Sequence, residues 1–587
     1  MAGKNYFLFI FYIFISIHGM EAQGFNDKSD TAEADQLYIH IDKSFYSNGE
    51  NIWYKIYILN NGKEQDFSKV VYVDFLSSNG KLILQQKLKV KGRIAYGDIA
   101  LPLDIEEGYY YLKASTIWNK NFNSQNNYLV KVPIYSEWEE ASHQTIQEQV
   151  ELNNEISSIY SSHSQGISIA PEKSPYKRNE LVTINFKATD KTGKPVKANL
   201  SVAVTEKDLI PEPNSYGIIY RKAALEDSKE NENIIQKKYT KEQGLRIKGF
   251  ISDPATGDPL NTRFLSIYTP GISEFKSSEI EKGILDHTLP DFYGTQIIQF
   301  HNFDPYQNTI PKVKIEKNDW NWENQEIKMD YPSRDPTIEK YLEAARLRRK
   351  INEVFEVKDQ VDISVAKTGL SNFTGDKVFL MKDYHLMKDV EEFIRIFFFK
   401  TRIKEKGGKK SVILYNYDSK YNFMESPWYL LDGYLTRDEN FLLKIPLKNV
   451  EKIEIFYRTK TLSGQFDALM IRSGVLAIHT KEKGLLLPKL DLGNNVEVTG
   501  YYSPRKFKIP IVNEPYEEHP DFRPLIYWNP EIITDENGMA TITFQASSSI
   551  GDFNIIVEGI SPTGEIVQGF ETFRTGPESL NFNFQSK

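Results

Sequence analysis

The sequence predicts a mainly β protein, built from several antiparallel β-sandwich modules and one small α/β domain. Three observations lead there. First, β-branched and aromatic segments of period two recur, at residues 37–41, 52–58, 70–75 and 109–114. Such alternation suits strands with one face on a core. Second, short polar turns containing Gly separate apolar runs, at 77–81, 190–194, 253–258, 535–538 and 561–565. Gly supplies a positive φ there, and Asp or Ser closes the turn with its side chain. Third, residues 376–484 break the pattern. An amphipathic helical segment at 390–397 precedes strand-like runs at 411–415, 428–431, 450–457 and 475–480.

Taken in order, the chain divides as follows. Residues 35–135 hold one sandwich. Residues 136–165 are rich in Glu, Gln and Ser and read as a polar linker with helical character. Residues 166–243 give strands of a second sandwich and a charged loop. Residues 244–318 form a third β module. Residues 335–357 are the clearest helix, opened by Asp335-Pro336, an N-cap with Pro in the first turn. Residues 376–484 are the α/β domain, and 496–578 return to sandwich strands at the C-terminal end. The chain has 587 residues, and at ~150 residues per domain that length is consistent with ~4 domains.

Composition narrows the function. Lys and Arg total 72 against 80 Asp and Glu, a net charge of −8, which disfavours a nucleic-acid binder, whose affinity comes from cations on phosphates. Hydrophobic residues are 40% and charged residues 26%, enough apolar content to build cores. Cys is absent, which excludes disulfides, thiolate metal sites, a Cys nucleophile and a Cys–Gln thioester.

Residues 1–22 read as a secretory signal peptide. Lys4 precedes an apolar run over 6–17, and Ala22 offers a cleavage point. Met20 suits the small-residue site poorly, so the bond itself stays open; an uncleaved anchor is the alternative, though the run is short for a ~30 Å hydrocarbon core. No later run of ~20 apolar residues suggests an integral transmembrane helix. Export without Cys fits a bacterial envelope.

The segment from Ile39 to Lys55 contains Asp42-Lys43-Ser44-Phe45-Tyr46-Ser47-Asn48-Gly49-Glu50. It resembles the opening of a macroglobulin-type domain of alpha-2-macroglobulin-like proteins. The Leu101-Pro102-Leu103 and 107–114 stretches are similar to that domain's late strands, and 198–205 looks like a strand of a following module. Residues 427–433, 450–455 and 474–481 resemble the plug domain of TonB-dependent outer-membrane receptors. Residues 244–315 and 523–538 are similar to modules of large secreted Bacteroidota proteins. The resemblance implies macroglobulin/Ig-like sandwiches carrying a plug-like domain. The chain departs from both families. It lacks the Cys of a thioester trap, and the ~100 residues after Gly484 are too few for a barrel of ~10-residue strands.

Chemistry is sparse. The nine His are scattered, with no HExxH. His40 and His479 lie in strand patterns and read as structural. Gly407-Gly408-Lys409-Lys410-Ser411 lacks the upstream Gly of a phosphate loop and reads as a basic hairpin turn. Asp432-Gly433 sits where plug domains carry a characteristic turn and reads as a tight hairpin. Trp53, Trp118 and Trp528 read as core anchors. The Gly-containing turns lack the full oxygen pattern of a calcium loop. No catalytic, cofactor-binding or metal residue is assigned, and no cofactor is expected. The expected function is a non-enzymatic, exported cell-envelope scaffold or adaptor, in the periplasm or at the outer membrane, whose partners are envelope or outer-membrane proteins. Alternatives are a nutrient-, glycan- or peptide-binding protein, or a carboxylate-based hydrolase.

Overall fold

The computed structural model describes residues 33–61, 67–122, 127–138, 164–211, 217–227, 238–302, 311–316, 331–354, 373–384, 386–489, 494–508 and 521–576. The signal-peptide segment 1–22 and most of the expected linker 136–165 lie outside them. The fold is mainly β with many antiparallel sheets.

Eight strands come first: β1 (Leu37–Ile41), β2 (Tyr46–Ser47), β3 (Asn51–Ile58), β4 (Val70–Leu76), β5 (Leu82–Lys89), β6 (Ile94–Ala100), β7 (Gly108–Ser115) and β8 (Tyr128–Tyr135). They make two sheets, β1-β3-β6 and β2-β8-β7-β4-β5. Ile52, Tyr54, Ile56 and Ile58 of β3 enter the core between the sheets, with Val71, Val73 and Phe75 of β4. The opposite faces are buried as well. Tyr57 packs against the next module, and Val70 and Tyr72 pack into the third module's core.

Three strands, β9 (Ile167–Pro171), β10 (Leu181–Ala188) and β11 (Asn199–Glu206), follow, then helix α1 (Ile218–Asp227). The third module begins with β12 (Arg246–Ser252), β13 (Thr262–Thr269), β14 (Glu274–Ile280), β15 (Ile284–Thr288), β16 (Thr295–Asn302) and β17 (Lys312–Ile315). Helix α2 (Pro336–Val354) lies within the expected 335–357. The Asp335 carboxylate accepts the Ile338 N–H at 2.9 Å, the N-cap the sequence suggests; residues 355–357 lie outside the described residues.

The α/β domain contains β18 (Lys377–Leu380), α3 (Val390–Phe397), β19 (Arg402–Lys406), β20 (Lys409–Ile413), β21 (Tyr415–Asn416), β22 (Tyr421–Asn422), β23 (Trp428–Leu431), β24 (Tyr434–Thr436), α4 (Glu439–Leu442), β25 (Val450–Phe456), α5 (Thr459–Gln465) and β26 (Val475–Thr480). Its sheet runs β18-β25-β26-β23-β24. Only β23 and β26 pair in parallel there. One face packs under α3. The other packs with α5 and with Tyr268 of the third module.

Five strands close the chain: β27 (Asn494–Thr499), β28 (Leu525–Ile533), β29 (Met539–Gln545), β30 (Gly551–Ile560) and β31 (Ile566–Thr575). Here the structure corrects the expected division. Residues 166–243 and 496–578 do not hold separate sandwiches. Their strands form one, with sheets β29-β10-β9 and β28-β11-β30-β31. The reason is burial: β11 is central, with Leu200, Val202 and Val204 in the core, and three strands cannot cover that core alone. β27 is also reassigned, since it pairs with β16 and completes the third module's sheet β14-β13-β16-β27. The modules are therefore nested rather than strung in tandem. The α/β domain interrupts the third module, which in turn interrupts the second sandwich.

A chain ending at residue 520 would lack four of the seven strands of that sandwich. It is expected to be cut by trace protease within 164–211, where the full chain resists. Equal resistance of that segment in both chains would contradict the shared sandwich.

Candidate interaction sites

The Asp42–Glu50 motif is a latch for α2. The turn before β3 needs Gly49, whose φ is +78° and whose α-carbon faces Leu103 and Arg349. Asp42 Oδ1 accepts from the Tyr46 hydroxyl at 2.6 Å and the Trp53 N–H at 2.8 Å. Lys43 Nζ meets Glu50 Oε2 at 2.5 Å. The Tyr341 hydroxyl of α2 donates to Glu50 at 2.6 Å, and Arg348 Nη2 reaches Glu50 Oε1 at 2.7 Å. Arg349 grips Glu137 with two bonds of 2.8 and 2.9 Å, and Arg334 pairs with Glu107. Glu137 thus serves as an anchor, although it falls in the expected linker. Phe45, Tyr135, Leu209, Ile338 and Leu342 fill the space beneath.

These contacts set the acidities. Burial raises the Glu50 carboxyl, but the Lys43 ammonium and the Arg348 guanidinium overcome it and bring the pKa to about 2. Burial dominates at Asp42, whose pKa is pushed up to about 7 against the pull of Lys43. Asp42 Oδ2 is buried without a hydrogen-bond partner among the described residues, a place for that proton.

A buried polar seam joins the first module to the second sandwich. His40 Nδ1 lies 2.6 Å from Ser201 Oγ, and the Tyr57 hydroxyl lies 2.6 Å from the same oxygen. The Tyr38 hydroxyl donates to Glu558 Oε1 at 2.8 Å, and Lys55 Nζ donates to Asn199 Oδ1 at 2.6 Å. Burial lowers the His40 and Lys55 pKa values. Ser, His and Glu meet here, yet not as a catalytic triad. A triad places Ser and the carboxylate at opposite ring nitrogens. Here Glu558 Oε2 approaches the same Nδ1, at 3.7 Å, and Ser201 is 0% exposed. His40 is a structural group in a wholly buried seam.

In the α/β domain, His479 Nε2 faces Glu454 Oε2 at 2.7 Å, with Lys452 at 2.9 Å from the same oxygen. Burial raises Glu454, and His479 and Lys452 lower it to about 2. The Asp432-Gly433 turn has positive φ at both positions and links β23 to β24. Its carboxylate accepts the Thr480 N–H at 2.7 Å, and the Gly433 carbonyl accepts the Tyr268 hydroxyl at 2.6 Å. The turn therefore docks the domain on the third module. Gly407-Gly408 joins β19 to β20. Trp53 and Trp528 are buried together at the seam, while Trp118 is half-buried and donates to the Glu33 carbonyl at 2.8 Å.

Two of the clefts among the described residues are shallow and largely open to solvent. The first lies between the first and third modules, beside Lys89, Lys91, Tyr96, Tyr293 and Tyr502. The second, in the α/β domain, is bounded by Lys377, Phe397, Phe398, Tyr415, Tyr417 and Tyr457. Its aromatics come from four separate stretches of sequence, Phe379, Phe397–Phe398, Tyr415 with Tyr417, and Tyr457, so no local pattern announces the whole of it. The one signal was the run Phe397-Phe398-Phe399, three rings in succession at the end of a short amphipathic helix. No group of three or more His, Cys, Asp or Glu among the described residues could hold a metal ion. No helix among them is long and apolar enough to cross a membrane.

No protein-family model matches the chain, and no curated protein matches it. Among solved structures, Escherichia coli alpha-2-macroglobulin activated by porcine elastase is similar at 8% identity and a TM-score of 0.24, over 92% of this chain and 44% of that one. Salmonella alpha-2-macroglobulin reacted with methylamine matches at 8% and 0.24, over 93% and 40%. The chain thus spans less than half the length of these proteins. A CARDB domain from Pyrococcus furiosus matches at 18% identity and a TM-score of 0.14, over 18% of this chain and 96% of that one. At such scores the likeness carries no argument about function.

Glu50→Gln would leave Lys43 and Arg348 buried without their anion. It is expected to cost about 3–5 kcal/mol, read from urea unfolding at pH 7; a change within error would show that the latch does not hold. The pH profile separates the two acids. The Glu50 pKa lies below its ordinary 4.5, so its contribution is complete above that pH and lost as pH falls toward 2. The Asp42 pKa lies above its ordinary 3.8, so the folded chain holds an extra proton from there to about pH 7 and loses stability as pH rises across that window. Asp42→Asn is expected to flatten the upper window and Glu50→Gln the lower one. The same slope in wild type and variant would contradict the assignment.

Proposed function

We propose that the chain is a non-enzymatic, exported cell-envelope protein that acts as a scaffold or adaptor, binding other proteins at the outer membrane or in the periplasm. The observation that carries this reading is the number of apolar side chains that the α/β domain leaves exposed. Leu386 is 98% exposed, Met424 96%, Tyr421 76% and Phe399 74%. Val378, Leu380 and Ile396 of the same domain are exposed too. Large exposed apolar patches on a folded chain mark contact surfaces, since water alone covers them poorly. The domain is itself packed on the third module through Tyr268, Phe275, Phe373 and Phe466, so these exposed side chains are what it has left to offer a partner.

Export rests on the 1–22 segment, and the plug-like reading of 376–484 rests on its sequence resemblance. In this reading the plug-like domain serves contact with another protein. Both clefts enclose far less space than the ~300 Å³ of a small-molecule pocket, which favours a protein partner over a nutrient or glycan. A carboxylate hydrolase needs two acids across a cleft, and neither cleft is lined by Asp or Glu.

Native pull-down of the tagged chain from gently solubilised envelopes, read by mass spectrometry, tests the proposal. Stoichiometric recovery of an outer-membrane barrel or a secretion component is expected. Recovery of the chain alone across several mild detergents would sink the adaptor reading.

A further inference from the structure

The two edges of the α/β sheet are treated differently. At the β24 edge, the Gln299 side chain of the third module accepts the Leu435 N–H at 2.8 Å and donates to the Leu435 carbonyl at 3.0 Å. That edge is closed by a side-chain amide that imitates a strand. At the other edge, β18 pairs with β25 and with no further strand among the described residues. Its sequence, Lys377-Val378-Phe379-Leu380, carries no Pro and shows no bulge in its pairing. Val378 and Leu380 are 45% and 42% exposed. Of the devices that ordinarily blunt an edge, β18 has short length and the charge of Lys377 but neither Pro nor bulge, and an edge so left can template another strand.

The shallow aromatic cleft adjoins this edge, with Lys377 and Phe379 of β18 on its wall. Tyr417 stands 5.0 Å from Tyr415 and 4.9 Å from Tyr457, ring to ring. Lys400 Nζ lies 4.6 Å above the Tyr415 ring, and Lys377 Nζ lies 4.8 Å from the Phe379 ring. The nearby acid Asp418 is turned to Arg458, 3.8 Å away. Residues 377–424 carry eleven Lys and Arg against six Asp and Glu, in a chain whose net charge is −8.

We propose that this edge and its cleft form a docking site for an extended, acidic peptide segment of a partner protein. The segment adds to β18 as a sixth strand, lays one aromatic or aliphatic side chain against the Phe398, Tyr415 and Tyr417 rings, and places carboxylates near Lys377 and Lys400. Main-chain hydrogen bonds then give affinity, and the cleft and cations give specificity. A basic, aromatic surface also suits anionic lipid, but lipid leaves the backbone edge of β18 unsatisfied, which favours the peptide. The proposal rests on the adaptor reading and narrows it to one partner chemistry.

The full chain is titrated against a fluorescein-labelled ten-residue peptide alternating Asp or Glu with Val or Phe, and anisotropy is read. Two further peptides replace the acids by Lys, or interrupt the strand with Pro at alternate positions. Saturable binding of the acidic peptide is expected, with about tenfold or greater loss for both others. The double variant Lys377→Glu/Lys400→Glu alters exposed charges and is expected to bind the acidic peptide about tenfold more weakly at an unchanged thermal midpoint. Failure of the acidic peptide to bind, or equal binding of the Lys or Pro peptide, overturns the proposal. So does co-sedimentation with phosphatidylglycerol vesicles that the double variant abolishes while peptide binding is absent. If the double variant still recovers the envelope partner in full, this site is wrong and the adaptor reading stands. If the peptide binds as expected but wild type recovers no envelope partner, the site stands and the adaptor reading fails.

Discussion

Burial of both faces of the first module's central strands, β3 and β4, is the constraint on which the other modules depend. β3 sends Ile52, Tyr54, Ile56 and Ile58 into its own core and Trp53, Lys55 and Tyr57 into the seam with the second sandwich. β4 sends Val71, Val73 and Phe75 inward and Val70 and Tyr72 into the third module. A sheet exposed on one side tolerates polar residues there, whereas a sheet covered on both must pair every polar group it buries. In the seam Tyr38, His40, Lys55, Tyr57, Ser201 and Glu558 each take a hydrogen bond. In the latch Lys43, Glu50, Arg348 and Tyr341 pair, and Asp42 Oδ2 is left over.

Nesting follows from the same demand and has a consequence for function. The second sandwich closes only when β28–β31 return, and the third module closes only when β27 returns. The α/β domain lies in the chain between β17 and β27 and meets the third module through the Tyr268 and Gln299 contacts, so one face and one edge of its sheet are already occupied.

Much of this was legible in the sequence. The Asp335-Pro336 cap opens α2, residues 390–397 are a helix, and Gly538 and its counterparts turn hairpins with positive φ. Those features are local, fixed by a few neighbouring residues. The misassigned parts are not local. Nothing in residues 199–206 states that their neighbours lie more than three hundred residues ahead, because a central strand reads the same whichever strands flank it. The Trp53-Lys55-Tyr57 face carries a cation, and a cation in a strand pattern ordinarily implies solvent rather than a seam. Likewise the Asp42–Glu50 segment reads as a family motif, while its work, receiving Tyr341 and Arg348, is visible only in three dimensions. The aromatic cleft was hidden for the same reason, since four separate stretches of sequence share it.

Hydrogen exchange in rising urea, read by mass spectrometry on the full chain, measures the hub directly. If the first module supports its neighbours, amides of β3, β4, β11 and β30 become exchangeable together at one urea concentration, with the α/β domain losing protection at or below it. Exchange of β11 and β30 at clearly lower urea, while β3 and β4 keep their protection, would show modules that fold independently and would contradict the account.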